Sequence, residues 1–481
     1  MARKILKNAG DFILEKLDIL MVNGSKIDLT EIVTSINIYE DLFTNAISGT
    51  ISFTDTNNLV YNGPIIGQER IQLKLLTPQV APTEETVIDF TKNILYVNRV
   101  VSVTEINDSS RAIVLSFTTQ DVYMNHRVRV SKSYSGEPSE IIKKIIRSPT
   151  LLDSKKKLFL EPTANNYKFI IPSMRPFNAI NMIAQKCMSK THQLAPTYFF
   201  YETCFGYHFR SIDSLFDEEN VKARFEEHTA QVLNDKGEQD YVSGMENLIE
   251  FSPDSTQDSL INTRTGMYSS RIVLYNWYTK SITKKEYNYL DDFSKDNHAQ
   301  KNAFEGSPNP LISEVNEFGN KRLSDFPDSV QYVQGTILDG VSSKNFYELE
   351  GSTHADYTNP YEGSNVDKWC MRRKSRLSQL QLGMKMKIEV IGRTNIQVGD
   401  LVEIRIPSVS TATRDKYNKY LSGRYLIRQL HHSFTMMGEQ NMHKCHMTVI
   451  KDDVQETYPA IGTGSGGTAL NDAGDSANQT V

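Results

Sequence analysis

Five residues that can hold metals or move protons crowd into one short stretch: His431, His432, His443, Cys445 and His446. Imidazole nitrogens and a thiolate are donors that zinc-type ions favour, and histidine changes charge near neutral pH. The spacing argues against such a site. His431 and His432 are adjacent, so on a strand they point to opposite faces, and His443, Cys445 and His446 follow no closed-site pattern. The set therefore reads as two strands whose histidines satisfy backbone groups or lie at the surface, with no metal bound.

The remaining candidates for chemistry also resolve into structural roles. Glycan cleavage needs two positioned carboxylates, yet no lysozyme-like helix carries a lone Glu in an apolar setting, and Glu40-Asp41 reads as an exposed strand-to-turn element. Gly392 and Gly399 lack the Lys-Ser/Thr of a phosphate loop, while Gly462 to Gly467 follows no strand and precedes no helix. Ser422-Gly423 comes just before a strand, which makes it a turn rather than a nucleophile elbow. The 23 tyrosines and 21 phenylalanines lack the interleaved basic residues of a base-stacking groove and read as strand and interface packing. No catalytic, cofactor-binding or metal-binding residue is expected, and the chain is not expected to be an enzyme.

The elements that would position these side chains are mostly strands. Period-2 alternation runs through Ile32, Thr34, Ile36 and Ile38, then Ile47, Gly49, Ile51 and Phe53, then Ile71, Leu73 and Leu75, then Ile113, Leu115 and Phe117. Turn residues at Asn23-Gly24, Asp55 to Asn58 and Asn62-Gly63-Pro64 separate them, which predicts an antiparallel barrel or sandwich. Helices are predicted from Gly136 to Arg147, where Pro138 suits a first turn, and from Arg175 to Ser189, followed by a hairpin over Tyr198 to Ile212. A strand is predicted at Arg271 to Tyr278 amid polar loops around Asn297 to Asn309 and His354 to Asn365. A helix over about Val366 to Leu382 follows, with a basic run at Arg372, Arg373, Lys374 and Arg376 read as a solvated face. Strands return at Met384 to Val390, Leu401 to Pro407, Tyr425 to Leu430 and Met447 to Ile450.

These patterns predict an α+β, mainly β chain: two similar antiparallel β-barrel domains with inserted mixed α/β regions. The expected units are a first barrel over 1–125, a mixed α/β domain with two helices and a hairpin over 126–225, and an irregular insertion over 226–374. Part of that insertion, about 240–275, is available to the second barrel, which covers 375–453 and precedes a flexible Gly/Ser-rich tail over 454–481. With 39% hydrophobic and 23% charged residues the composition is that of a globular chain. The apolar stretch Phe12 to Val22 is interrupted by Glu15, Lys16 and Asp18, so neither a signal peptide nor membrane insertion is expected. Four scattered cysteines, Cys187, Cys204, Cys370 and Cys445, indicate neither a disulfide framework nor a zinc ribbon, and fit synthesis in a reducing cytoplasm. A net charge of -5 with dispersed basic residues disfavours tight DNA binding, though such a protein can surround DNA without retaining it.

Several segments resemble the baseplate central hub family of contractile-tailed bacteriophages of the T-even type, a family related to hubs of contractile injection systems. Ile36 to Asn58 is similar to the family's opening strand, acidic turn and Gly-interrupted return strand. Gly392 to Asp400 and Ser422 to Phe434, within Gln379 to Asp453, resemble the strand, tight turn and His-x-Phe ending of its second barrel. Ile171 to Ile183 and the Phe199/Tyr207 hairpin resemble the helix and hairpin between them, and the pieces occur in the family's order. Between about Tyr278 and Trp369 the chain departs from the family.

The resemblance implies a homotrimer in which two tube barrels per chain give six around a channel, matching a six-fold tail tube to a three-fold spike. Its expected partners are a central spike protein, tail tube or tube-initiator proteins and other baseplate proteins, with DNA only in transient passage. The expected location is the virion tail baseplate, assembled in the host cytoplasm. No long repetitive β-helix follows the second barrel, so the spike is expected as a separate polypeptide. A hub of a non-phage contractile injection system fits the same residues equally well, whereas a cell-wall hydrolase of a tail fits them poorly.

Overall fold

Alternation of buried and exposed side chains is realised along most of the strands, and it builds one very large sheet. The computed structural model describes residues 8–22, 24–56, 65–78, 86–217, 221–227, 244–254, 258–276, 280–301, 312–314, 321–336, 366–408, 417–418, 420–437 and 440–453. The turn at Asn62 to Pro64, most of the polar loop to Asn309, the loop from His354 and the Gly/Ser-rich tail lie outside the described residues. The chain is α+β and mainly β, and among the described residues no helix is long and apolar enough to cross a membrane.

The first part of the chain contains β1 (Ile13–Leu20), β2 (Lys26–Asp28), β3 (Val33–Asp41), β4 (Ser48–Asp55), β5 (Arg70–Leu76), β6 (Val87–Asp89), β7 (Leu95–Asn107) and β8 (Ser110–Thr119). Ile36, Ile38, Ile51, Phe53, Ile71, Leu73, Leu75, Ile113, Leu115 and Phe117 point into one core, as their period-2 spacing predicts. The Phe12 to Val22 stretch forms β1, whose Leu17 and Ile19 join this core while Lys16 pairs with Asp18. Gly49 is required within β4, because a Cβ there would lie 2.2 Å from the Phe117 ring and 2.3 Å from the Asn37 carbonyl oxygen.

A mixed unit follows. It contains α1 (Gln120–Arg127), β9 (Val130–Gly136), α2 (Pro138–Arg147), β10 (Leu158–Leu160), β11 (Tyr167–Met174), α3 (Pro176–Ala184), β12 (Tyr198–Thr203), β13 (Gly206–Ser211) and α4 (Ile212–Phe216). Pro138 and Pro176 open their helices, where a missing N–H costs nothing, and Ile141, Ile142, Ile145 and Ile146 bury one stripe of α2. Burial of each such isoleucine contributes about 2 kcal/mol. The unit is fastened to the first β region through Glu202, one of whose oxygens lies 2.5 Å from Lys156 Nζ, itself 2.6 Å from Asp121, all three being buried. The other oxygen of Glu202 accepts from Ile47 N and Thr119 Oγ1.

The remaining strands are β14 (Ala223–Glu226), β15 (Leu248–Pro253), β16 (Ser269–Asn276), β17 (Ser281–Asn288), β18 (Ile312–Glu314), β19 (Lys321–Arg322), β20 (Gln331–Thr336), β21 (Met384–Ile391), β22 (Leu401–Arg405), β23 (Gly423–Met437) and β24 (Gln440–Lys451). Helices α5 (Ser259–Thr265), α6 (Tyr289–Asp292) and α7 (Val366–Leu382) lie among them. Strands β16, β17 and β20 form a separate small sheet against α7, whereas β14 and β15 pair with β22 and β21. Met386, Ile388, Val390, Leu401, Ile404, Leu426, Met447 and Val449 build the second large core.

The two β regions are joined edge to edge. Strand β23 pairs antiparallel with β3, from Gln429 opposite Asp41 to Thr435 opposite Ser35, so a 14-stranded sheet runs β15-β21-β24-β23-β3-β4-β8-β7-β5-β1-β2 along its main path. Hairpins β3–β4 and β23–β24 thus lie back to back, each flanked by a third strand, β8 or β21. Among the described residues no ladder joins β2 to β15.

Two sequence expectations require correction. Glu40 is buried, not exposed, because the alternation that buries Ile36 and Ile38 carries on to residue 40. Its carboxylate is held by Cys204 N at 2.6 Å and Val398 N at 3.0 Å, and burial pushes its pKa from the ordinary 4.5 up to about 7. The basic run on α7 is not a solvated face either. Arg376 is fully buried, donating to Asp452 at 2.7 Å and to the Asn297 carbonyl at 2.6 Å, with Asp213 and Asp296 within 4 Å, while Arg372 pairs with Asp296 at 2.6 Å. The acidic partners come from distant parts of the chain, which is why a local reading places these arginines in water.

Candidate functional site

The seam between the two β regions gathers the polar residues of the second β region into two rows, one on each face. On one face the register aligns Tyr39, His431, His446 and Glu389 across β3, β23, β24 and β21. On the other face, one residue along, it aligns Ile38, His432, Cys445 and Val390, with Ile36, Phe434 and His443 in the next row. Adjacent residues on a strand face opposite ways, so His431 and His432 part company as the spacing implies.

The first row lines an open groove of about 520 Å³ that also includes Asp41, Glu250, Lys387 and Gln429. Tyr39 stacks on His431 with ring centres 4.5 Å apart, and His431 stacks on His446 at 5.2 Å. Asn37 Oδ1 lies 2.9 Å from His431 Nε2, while Glu389 pairs with Lys444 at 2.7 Å and with His446 at 3.5 Å. Burial, with help from the neighbouring His446, lowers the His431 pKa to about 4, so this ring is neutral under ordinary conditions. The aromatic and charged side chains suit contact with another polypeptide better than bond-breaking chemistry, since none is a nucleophile held by a base.

The second row is enclosed. His432, His443 and Cys445 are each at most 1% exposed, and their donor atoms converge. His432 Nδ1 lies 3.1 Å from His443 Nε2, and Cys445 Sγ lies 3.4 Å and 3.5 Å from those two nitrogens. His443 is clamped between the Phe434 ring, 3.9 Å away and nearly parallel, and the backbone of Gly392, where a Cβ would lie 2.2 Å from the imidazole. Among the described residues, neither His443 Nδ1 nor His432 Nε2 has a hydrogen-bond partner. Burial keeps both imidazoles neutral, His432 being lowered to about 3, and pushes the Cys445 thiol up to about 12. Phe434 belongs to the first large core and Cys445 to the second, so this trio sits where the cores meet.

The other residues singled out by type fall elsewhere. Ser422 closes a turn, accepting from Ile406 N and donating to Ile406 O, and has no neighbouring base in that role. Gly399 adopts a positive φ of 91° with its α-carbon against the Tyr201 hydroxyl, a packing role. A second convergence, His298 with Asp452 and Asp453, escaped sequence reasoning because its members are about 150 residues apart. Both His298 ring nitrogens already have partners, Asp452 Oδ2 and the Phe293 carbonyl, each at 2.9 Å, and Arg376 occupies Asp452, so it is an ion-pair node.

No family model matches the chain, and no curated protein matches it in sequence. Among solved structures it is similar to a tail protein from Neisseria meningitidis MC58, at 10% identity over 92% of this chain and 99% of that one, with a TM-score of 0.47. A 43 kDa tail protein of prophage MuSo2 from Shewanella oneidensis is similar at 10% identity, 92% and 100% coverage and a TM-score of 0.46. The E. coli c3393 protein, a component of the type VI secretion system, is similar at 7% identity, 94% and 79% coverage and a TM-score of 0.37.

Proposed function

We propose that the chain is a structural hub subunit of a contractile phage-tail baseplate: a homotrimer whose six β units, two per chain, form a tube-like ring around a channel. The observation that carries this reading is the seam. Because β23 continues the sheet of β3, one chain supplies two β units side by side in a single wall, which is what a three-fold ring needs to present six wall segments. The family resemblance of Ile36 to Asn58 and Gln379 to Asp453 falls on the two sides of that seam.

Assembly also needs an apolar contact, and one is available. The outer half of β7 and the start of β8 form a hairpin that stands clear of the core, with Val101, Val103 and Ile106 43%, 46% and 57% exposed. Apolar side chains exposed side by side on a strand mark a place for another chain to pack. In this reading the hairpin meets the adjacent hub subunit, the ring joins tube or tube-initiator proteins on one face, and a separately encoded spike docks on the other. Other baseplate proteins surround it, the channel passes DNA during ejection, and assembly occurs in the host cytoplasm. The role is mechanical, without catalytic residues or cofactor.

The test is the mass of the purified full chain in solution, alone and as a Val101→Asp/Val103→Asp variant. The native chain should run as a trimer and the variant as a folded monomer. A native chain that is monomeric at high concentration would defeat the proposal.

A further inference from the structure

We propose that His432, His443 and Cys445 form a buried metal site that takes one zinc-type divalent ion per chain and staples β23 to β24 beside the seam that β23 makes with β3. Zinc bonds of about 2.0–2.1 Å to imidazole nitrogen and about 2.3 Å to thiolate, set tetrahedrally, place two nitrogens about 3.3 Å apart and each nitrogen about 3.5 Å from the sulfur. The observed separations are 3.1 Å between the nitrogens and 3.4 Å and 3.5 Å to the sulfur. Three donor atoms on two strands therefore already lie close to the edges of one tetrahedral face.

The surroundings are those of a built site. His443 cannot swing away, because Phe434 covers one side of its ring and the Gly392 backbone the other, and any larger residue at 392 would strike it. Its Nδ1, turned away from the cluster, is buried and has no partner among the described residues, leaving Nε2 as the nitrogen that meets His432 and Cys445. His432 is equally buried, and Nδ1 is its nitrogen that meets His443 and Cys445. Without a metal, an imidazole N–H and the Cys445 S–H can donate within the trio; with one, the lone pairs of all three donor atoms converge on the ion.

Binding is balanced by one proton. The Cys445 thiol gives up its hydrogen to solvent as the sulfur bonds the ion, and the neutral imidazoles bind through their lone pairs without change of charge. The resulting single positive charge lies in the same interior as the Glu40 carboxylate, whose charge already acts on Cys445. The three protein donors occupy three of the four tetrahedral positions, and enclosure between two cores gives the ion a structural role. Sequence spacing concealed the site because its third ligand, His432, reaches it through cross-strand pairing with Cys445.

The inference does not depend on the hub reading. The full chain is produced with zinc in the medium, washed with a chelator and assayed for metals by mass spectrometry. The expected result is about one zinc per chain in the native protein and in a His431→Ala/His446→Ala variant, which alters only the opposite face, and none in Cys445→Ser. Because Cys445→Ser could also lose metal by misfolding, native protein stripped in denaturant and refolded is titrated with Co(II). A thiolate-to-cobalt absorption band that saturates at about one equivalent supports the site. Native protein that is folded yet holds no stoichiometric zinc and gives no such band would overturn it, as would equal zinc in native and Cys445→Ser proteins.

Discussion

The seam between the two β regions and the junctions that hold the α/β insertions are built on different physics. At the seam, a backbone ladder from Gln429–Asp41 to Thr435–Ser35 joins the two regions, and the buried side chains along it are Ile36, Ile38, Glu40, Leu430, His432 and Phe434. At the insertions, single buried cations do the joining. Lys156 holds Asp121 and Glu202 within the mixed unit, where Glu202 also accepts from Ile47 and Thr119 of the first β region, and Arg376 gathers Asp213, Asp296 and Asp452 from three separate segments. A ladder spreads its load over many bonds, whereas a buried charge concentrates it on one side chain whose loss strands its partners.

That contrast is broken most severely at Arg376. Arg376→Met removes the cation and leaves buried carboxylates facing one another, and should cost about 3–5 kcal/mol, read as a large fall in denaturant midpoint. Lys156→Met should act in the same direction at the other node. An equal and negligible loss from both would show that the insertions are held by packing alone.

Glu40 sharpens the comparison because it is an ionisable group close to the seam itself. Its folded pKa, about 7, is raised above the ordinary 4.5, so the folded state binds the extra proton. The associated stabilisation, on the order of 3 kcal/mol, is fully present below pH 4.5 and is lost as pH rises through 7. Glu40→Gln should flatten the fall in unfolding free energy between pH 5 and pH 8. An unchanged slope in the variant would place the titration elsewhere.

Smaller effects are expected from packing and from the surface. Gly392→Ala pushes a methyl group into the His443 ring and should cost about 1–3 kcal/mol by chemical denaturation. Val103→Asp lies on the exposed part of the β7–β8 hairpin and should change monomer stability by less than about 0.5 kcal/mol while weakening self-association. A large stability loss from Val103→Asp would mean that the hairpin is part of a fold core and not an assembly contact.

The strands were legible because local alternation decides which face is buried, and this holds from Ile36 and Ile51 to Met386 and Val449. Helix α7 was legible through its pattern, yet the environment of Arg376 was not, since its acidic partners are up to about 160 residues away. The charge of Glu40 points to the surface while its position in the alternation points inward, and position decides, because two backbone N–H groups make burial tolerable. The apposition of His432 with Cys445 needed the register of β23 against β24, which no single segment reveals. The edge-to-edge joining of β23 to β3, nearly 400 residues apart, was beyond any local pattern.

In the proposed hub, one chain supplies two adjacent wall segments of a ring. Electron microscopy of the purified full-length assembly, viewed down its axis, tests it directly. The expected image is a closed three-fold ring of six β lobes around an open channel. A particle with three lobes, or no closed ring at concentrations that favour assembly, would contradict it.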